Sequence, residues 1–600
     1  MSSEDQSNLK RKFSSKRRSK KKFRGVRPSE IVCQESEEQV EQQLAAENVQ
    51  STKDIQEDVQ GASARKLSAQ IEPNFKSEGF RIISMEFLQS LLDITAVCQK
   101  CKYGKLQVKE ETEKKMGLAS LIVAECQQCL KRVEMYTSPN CKNSKGFEIN
   151  RRAVLGAMEI GGGETSLLKL CAYLNIPSPM SHDTYSSTMK SIQGCLKNKV
   201  AENMRDAAKE EKDQETNHTE CNVMLDGTWR KRGFSSLQGA VTAISAKTGK
   251  CLDFETLNKV CHGCSTWKSK PDCPEKEKWL AEHNCTTNYH GSAPAMEPEG
   301  VKRIFLRSEE LHQLQYTGYI GDGDSKAYNN VSSLKPYGEK TIKKHECVGH
   351  VQKRLGTALR KVKTKYAGQK LSDGKSIGGY GRLTADRIDR LQTYYGLAIR
   401  RHKNDLEGMK KEVWAGLYHS ASTNDEPQHQ YCPEGPETWC KFNKAALKSE
   451  SYNHSKPLPK AVMEVLKPIY ERLSKDSVLE GCLGGYTQNS CESLNHLIWA
   501  RCPKTMASGK VHLDCAAAAA VIVFNSGNMA MCGVLEELGV EPGRHTAHIL
   551  QKLDRKRVKE SNASATEKNK KIRKTRRTHG KAADDRMQQT EGLTYASGSF

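Results

Sequence analysis

No stretch of this 600-residue chain approaches the ~20 consecutive apolar residues of a membrane-spanning helix. The best candidate, Ala516 to Phe524, is far too short. The first residues, Ser, Glu, Asp and Gln followed by a basic run, contain no apolar signal-peptide core. These absences exclude a membrane partner and point to an intracellular, reduced chain. Aromatic residues make up only 6% of the chain, and Glu35 to Gln60 has none, so that Glu/Gln-rich stretch reads as a linker or a solvated helix. Acidic residues are missing from Lys10 to Arg27, which is dense in Lys and Arg. That cluster reads as a nuclear import signal and a contact for DNA phosphates, or as a solvated tail.

The overall balance is basic, with 95 Lys and Arg against 72 Asp and Glu and a formal net charge of +23. Such a surface favours polyanionic partners through phosphate contacts and counterion release. The 22 cysteines would suggest disulfides in a small secreted protein. In a long basic intracellular chain, with several in C-x-x-C pairs, they point to zinc.

The folded chain is expected to begin with the apolar run from Gly79 to Ala96. A zinc-ribbon-like module then occupies residues 79–148, after a disordered basic tail and linker over 1–78. Residues 149–215 read as a helical region: Arg151 to Ile160, a break at Gly161 to Gly163, Glu164 to Leu174, then Thr184 to Leu196. Helix, glycine turn, helix suits a DNA-reading helix-turn-helix, but also any small helical subdomain. A β-meander follows (Cys221 to Leu225, Leu237 to Ser245, Cys251 to Leu257), with a fourth apolar run at Tyr316 to Ile320. Residues 216–350 therefore read as the first part of a core, with a Cys-rich insert over 258–300. A polar helical insertion spans 351–480, and helices at Ser490 to Arg501 and Ala516 to Asn525 complete the core over 481–545. Residues 546–600 read as a second disordered basic tail. The fold class is α/β (α+β).

The most specific local signal is Cys98-x-x-Cys101 with Cys126-x-x-Cys129, around a strand-like run from Leu118 to Ala124. Two C-x-x-C turns supply four thiolates in a tetrahedron and leave no open position, so the site is structural zinc. It could present Lys100, Lys102, Lys105, Lys131 and Arg132 to DNA. In the insert, Cys261, Cys264, Cys273 and Cys285 form a second zinc candidate, with His283 and His290 as further donors. Cys347-x-x-His350, in a basic frame, is open to three readings: a zinc pair with distant partners, a group positioning DNA, or a buried Cys beside a satisfied His. His429, Cys432 and Cys440, near His419, form another cluster, alone or joined to Cys347 and His350.

Three acids stand where phosphodiester chemistry would need them. Asp226 follows the first strand, Asp322 follows the fourth, and Glu492 opens a late helix. A ribonuclease-H-like fold gathers such positions, and carboxylates suit Mg²⁺ or Mn²⁺.

Around these acids the chain resembles the Mutator-like transposases in their full-length animal form. The shared motifs are Met224-Leu225-Asp226-Gly227-Thr228-Trp229, Thr248-Gly249-Lys250, Ala295-Met296-Glu297, Tyr319-Ile320-Gly321-Asp322-Gly323-Asp324-Ser325, Cys347-Val348-Gly349-His350, and Thr487-Gln488-Asn489-x-x-Glu492 continuing to Ile498-Trp499 and Pro503-Lys504. The resemblance spans about residues 80 to 545. It implies a ribonuclease-H-like DDE core interrupted by a helical insertion, with the catalytic triad on Asp226, Asp322 and Glu492. Asp322 is preferred to its neighbour Asp324 because it comes first after the strand. Cys491 departs from the pattern, which expects Asn there.

The implied activity is Mg²⁺- or Mn²⁺-dependent cleavage and strand transfer at transposon ends in the nucleus. Its partners would be terminal inverted repeats, target DNA and further copies of the chain. A domesticated zinc-dependent DNA-binding protein and a nuclease without strand transfer are the alternatives. Lys353 to Arg401, with Tyr366, Tyr380, Tyr394 and Tyr395 interleaved among basic residues, reads either as a nucleic-acid surface or as a solvated helical face with tyrosines in the core.

Overall fold

The computed structural model describes residues 79–142, 144–214, 219–231, 235–321, 325–436, 438–566 and a few positions up to 575. The basic segment Lys10 to Arg27, the Glu35 to Gln60 stretch, Asp322, Asp324 and the end of the basic tail lie outside the described residues.

The chain is mixed α+β, with two sheets among many helices. The first sheet is antiparallel: β1 (Leu106–Met116), β2 (Ala119–Cys126) and β3 (Arg132–Tyr136), with β2 central. Only β2 is substantially buried. The helix Met85–Thr95 precedes it, capped by Ser84, and has no buried residue. The apolar run that marks the start of folded chain is therefore helical but solvent-facing, with Phe87 62% and Ile94 85% exposed.

The second sheet has the order β6-β5-β4-β7-β8, formed by β4 (Glu220–Trp229), β5 (Gln238–Ser245), β6 (Cys251–Asn258), β7 (Gln315–Gly321) and β8 (Lys343–Glu346). The first three make an antiparallel meander, and β4, β7 and β8 run parallel. Every residue of β5 is buried, as expected of a strand covered on both faces. Alternate residues of β4 feed two cores. Val223 and Leu225 join the core built on the helix Met296–His312. Met224 joins the core built on the helices His182–Gln214, Asn489–Arg501 and Lys510–Ser526.

Lys510–Ser526 contains the most apolar run of the chain, and Leu513 and the whole stretch Cys515 to Asn525 are buried. Among the described residues no helix is long and apolar enough to cross a membrane. Here the run serves as a core helix, and its alanines let neighbouring backbones approach closely. Arg307 fastens the opposite helix to β6. Its guanidinium donates to both oxygens of the buried Asp253 at 2.8 Å, and to Glu255 at 2.6 Å.

The helical insertion has its own core around Val348–Lys365, Ala385–Arg401, Leu406–Ala421 and Lys460–Leu473. Three expectations are corrected. The helix read as Thr184 to Leu196 extends from His182 to Gln214, taking in the charged segment after it. A fifth strand, β8, is present. Disorder expected over 546–600 does not hold for the first part of that span, because Arg544–Ala565 is a helix.

That helix is anchored rather than frayed. Asp554 is 2% exposed and accepts from the backbone N–H groups of Asn528 and Met529 at 2.7 and 2.9 Å, and from the Asn528 amide at 2.7 Å. Arg557 donates to the carbonyls of Val523 and Phe524, at the end of the core helix. Asp554→Ala would strand buried donors, so we expect a loss of at least about 2 kcal/mol in denaturant unfolding. An unchanged midpoint would mean that the tail helix does not brace the core.

Candidate functional site

Asp226 sits on β4 and faces the Asn489–Arg501 helix, on the same side as Met224 and Thr228. Three side chains of the segment that carries Glu492 hold that stretch of β4. The Gln488 amide donates to the Leu225 carbonyl at 2.7 Å. The Asn495 amide donates to Asp226 Oδ2 at 2.7 Å, and the Trp499 indole to Thr228 Oγ1 at 2.7 Å. Glu492 lies one turn before Asn495 on this helix, in its first turn and exposed. Side chains three apart share a helix face, so Glu492 is on the face of this helix that carries Asn495.

Cys491, the residue that departs from the family pattern, is fully buried and directs its thiol at the Met224 carbonyl. Burial, and then the nearby Asp226 carboxylate, push its pKa well above the usual thiol value. It stays neutral and adds no charge beside the acids.

On the other face of β4, Gly227 makes room for neighbours. A Cβ there would lie 2.7 Å from the Trp229 ring and 3.2 Å from the Glu297 carboxyl carbon. The Ala295-Met296-Glu297 motif thus begins the helix Met296–His312 and sets Glu297 beside the strand that carries Asp226. Asp322 lies outside the described residues. Gln488, Asn495 and Glu297 were not singled out as functional side chains from sequence. The only signal for Gln488 and Glu297 was their place inside the motifs, and Asn495, between Glu492 and Ile498, had none.

The thiol clusters are separate from these acids. Cys98, Cys101, Cys126 and Cys129 present sulfurs within 4.8 Å of one another, with Cys98–Cys129 and Cys101–Cys126 each 3.6 Å apart. Each knuckle is a tight turn, and the residue after its second cysteine, Lys102 or Leu130, has positive φ. A Cβ at Gly104 would stand 2.4 Å from the Cys126 sulfur, so the ring of thiols requires glycine there. The backbone N–H groups of Cys101 and Lys100 outweigh burial and hold the Cys98 pKa at about 6.

The second cluster is Cys261, Cys264, His283 and Cys285. His283 Nε2 lies 3.0 Å and Cys285 Sγ 3.6 Å from Cys264 Sγ. Cys273, expected as a ligand, is not among them. It caps the N-terminus of the helix Pro274–Glu282, and His283, at the other end of that helix, takes its place. His290 is likewise outside the cluster. The third cluster is His419, His429, Cys432 and Cys440. Cys347 and His350 belong to none of the three. Cys347 caps the helix Val348–Lys365, and His350 lines a groove with Lys353, Arg354, Thr357, Lys361 and Arg472. All three clusters offer the soft sulfur and imidazole donors that zinc takes.

Of the four tyrosines interleaved with basic residues, Tyr395 is core and donates to the Leu473 carbonyl at 2.9 Å. Tyr394 stacks on Trp439 at 5.4 Å between ring centres. Tyr366 packs at the edge of the insertion core, and Tyr380 is 86% exposed.

These ligand sets make separable predictions for zinc content by native mass spectrometry. Cys98→Ser and His283→Asn should each lose one zinc per chain. Cys273→Ser should lose none, and a loss there would reinstate Cys273 as a ligand.

No curated protein matches the chain. The family model described as Mutator-like transposase matches residues 79–440, from the helix before the first thiol cluster to the last cysteine of the third, and ends before Glu492. That match covers more than half of the 600 residues, and the chain belongs to the Mutator-like transposases.

Proposed function

We propose that this chain is a DNA transposase that cleaves and joins DNA strands at transposon ends in the nucleus, using Asp226, Asp322 and Glu492 on a ribonuclease-H-like core. The observation that carries this reading is the attachment of the Glu492 helix to β4 at Asp226 through Gln488, Asn495 and Trp499. The sheet order supports it. An antiparallel meander continued by two parallel strands, with the helix Met296–His312 leading into β7 and a helix between β7 and β8, is what a ribonuclease-H-like core would require. The register also supports it: Met224 is opposite Ile320, and each stands two residues before an aspartate in the sequence.

Asp226 and Glu492 offer hard oxygen donors, the chemistry that Mg²⁺ or Mn²⁺ requires. Either ion, when bound, would polarise the phosphate and stabilise the leaving oxygen. Asn495 acts on the chain's own side of this chemistry. By donating to one oxygen of Asp226 it fixes the plane of the carboxylate. The first two thiol clusters hold structural zinc, bracing the N-terminal sheet and the insert beside β6. The groove beneath His350, with its Lys and Arg side chains, receives the DNA backbone.

Strand cleavage of end-containing DNA tests this reading. Asp226→Asn and Glu492→Gln should each lower the rate by roughly 10³-fold or more, about 4 kcal/mol of barrier. Asn495→Ala should lower it less and raise the Mg²⁺ concentration needed for half-maximal rate. If Asp226→Asn cleaved like the parent, the catalytic assignment would be wrong. A parent that binds ends without cutting would instead be a zinc-dependent DNA-binding protein.

Binding should respond differently. Replacing both Lys353 and Lys361 by Ala should weaken all DNA sequences alike. It should also reduce the slope of log affinity against log salt by about one per lost phosphate contact. An unchanged slope would remove this groove from the DNA path.

A further inference from the structure

The insertion contains a segment that its own core does not explain. From Ser422 to Pro459 the described residues form only one short helix, Lys441–Leu447 of 7 residues. Connections longer than about 12–15 residues without regular structure are uncommon in compact domains. Its own apolar cluster is small: Ala415, Cys432 and Cys440, with Tyr431, Trp439 and Phe442 partly buried around them, and apart from these only Ala445 and Leu458 are buried apolar residues among the segment's described residues. At the centre of that small group lie His419, His429, Cys432 and Cys440.

We infer that these four residues bind a zinc ion that folds this segment onto the insertion. The inference is independent of the DNA chemistry proposed above. Its first support is metric. A tetrahedral zinc with Zn–S of about 2.3 Å and Zn–N of about 2.0–2.1 Å requires N···N separations of about 3.3 Å and N···S separations of about 3.5 Å. His419 Nδ1 and His429 Nδ1 are 3.2 Å apart. The four N···S separations are 3.6 and 3.6 Å from Cys432, and 3.7 and 3.4 Å from Cys440. A single ring proton could bridge one of these pairs, not all of them.

The second support is the tautomer of His429, which the hydrogen-bond chain behind it determines. The backbone N–H of His454 donates to Asn424 Oδ1 at 2.8 Å, so that atom is an acceptor. His454 Nδ1, 2.9 Å from the same oxygen, must therefore carry its proton, and neutral His454 presents a bare Nε2. His429 Nε2 lies 2.8 Å from that nitrogen and 2.9 Å from Ser422 Oγ, so it is protonated and donates. The remaining nitrogen of neutral His429, Nδ1, is left as a lone pair directed into the cluster, as a metal ligand needs. Ligating imidazoles use their second nitrogen in this way.

The ion would close the loop between the helix that ends at Ala421 and the helix that Cys440 caps. It would thereby set Trp439 in place, donating to the buried Glu412 at 2.7 Å and stacked on Tyr394. Two thiolates and two imidazoles in a closed tetrahedron favour zinc over the hard ions of the carboxylate site.

The test is zinc content of the full chain expressed with zinc supplied. Cys440→Ser should lose one zinc per chain, and Cys98→Ser with Cys440→Ser should lose two. His454→Phe should keep the stoichiometry but weaken one site by about 10–100-fold in competition with a chromophoric chelator. On the unmutated chain, Cys432 and Cys440 should be shielded from alkylation until a chelator is added, as read by peptide mass spectrometry. This measurement holds even if the Cys440 variant is insoluble. Cys440→Ser with the parent's zinc content, or alkylation of Cys432 and Cys440 that does not change on chelation, would overturn the assignment.

Discussion

The attachment of one helix to one strand organises this molecule. β4 is the strand on which both cores meet, and it carries Asp226 on the face turned to the helix Asn489–Arg501. That helix comes from far along the chain, after the whole insertion, yet it and its N-cap reach β4 at Leu225, Asp226 and Thr228 through Gln488, Asn495 and Trp499. Such spacing tolerates a long intervening segment because loop-closure entropy grows only slowly with length, provided the segment folds on its own. The insertion meets that condition with a separate apolar core.

Two classes of donor are kept apart. Oxygen donors gather at β4, whereas sulfur and imidazole donors gather in three clusters at places with little apolar core. β1 and β3 are largely exposed, the insert after β6 has no buried residue in either of its short helices, and the segment after Ala421 has only a small cluster. Metal–ligand bonds would supply folding free energy that buried apolar area does not supply there. The partition follows ligand softness: zinc suits the clusters and hard divalent ions suit the carboxylates.

Much of this was legible from sequence. Apolar runs located β4 to β7, and the paired C-x-x-C spacing identified all four members of the first cluster. Other features escaped. β8 reads Lys343-Lys344-His345-Glu346, with no strand-like pattern, and exists because β7 offers it a parallel edge. The tail helix has few apolar residues and is held by Asp554 and Arg557, whose partners lie in distant segments. In the second cluster Cys273 was the expected ligand and His283 a further donor, but a helix carries the chain between them and brings its far end back to the thiols.

What the sequence determined by itself was local: the periodicity of strands, the tight C-x-x-C turns, the family motifs and the positive charge. These depend on neighbours a few residues apart. Tertiary structure alone decided which imidazoles join the second and third clusters, that Cys347 and His350 stand outside all three, and that Asn495 reaches Asp226. Those choices depend on distances between segments remote along the chain, and residue spacing carries no information about such distances until the segments pack.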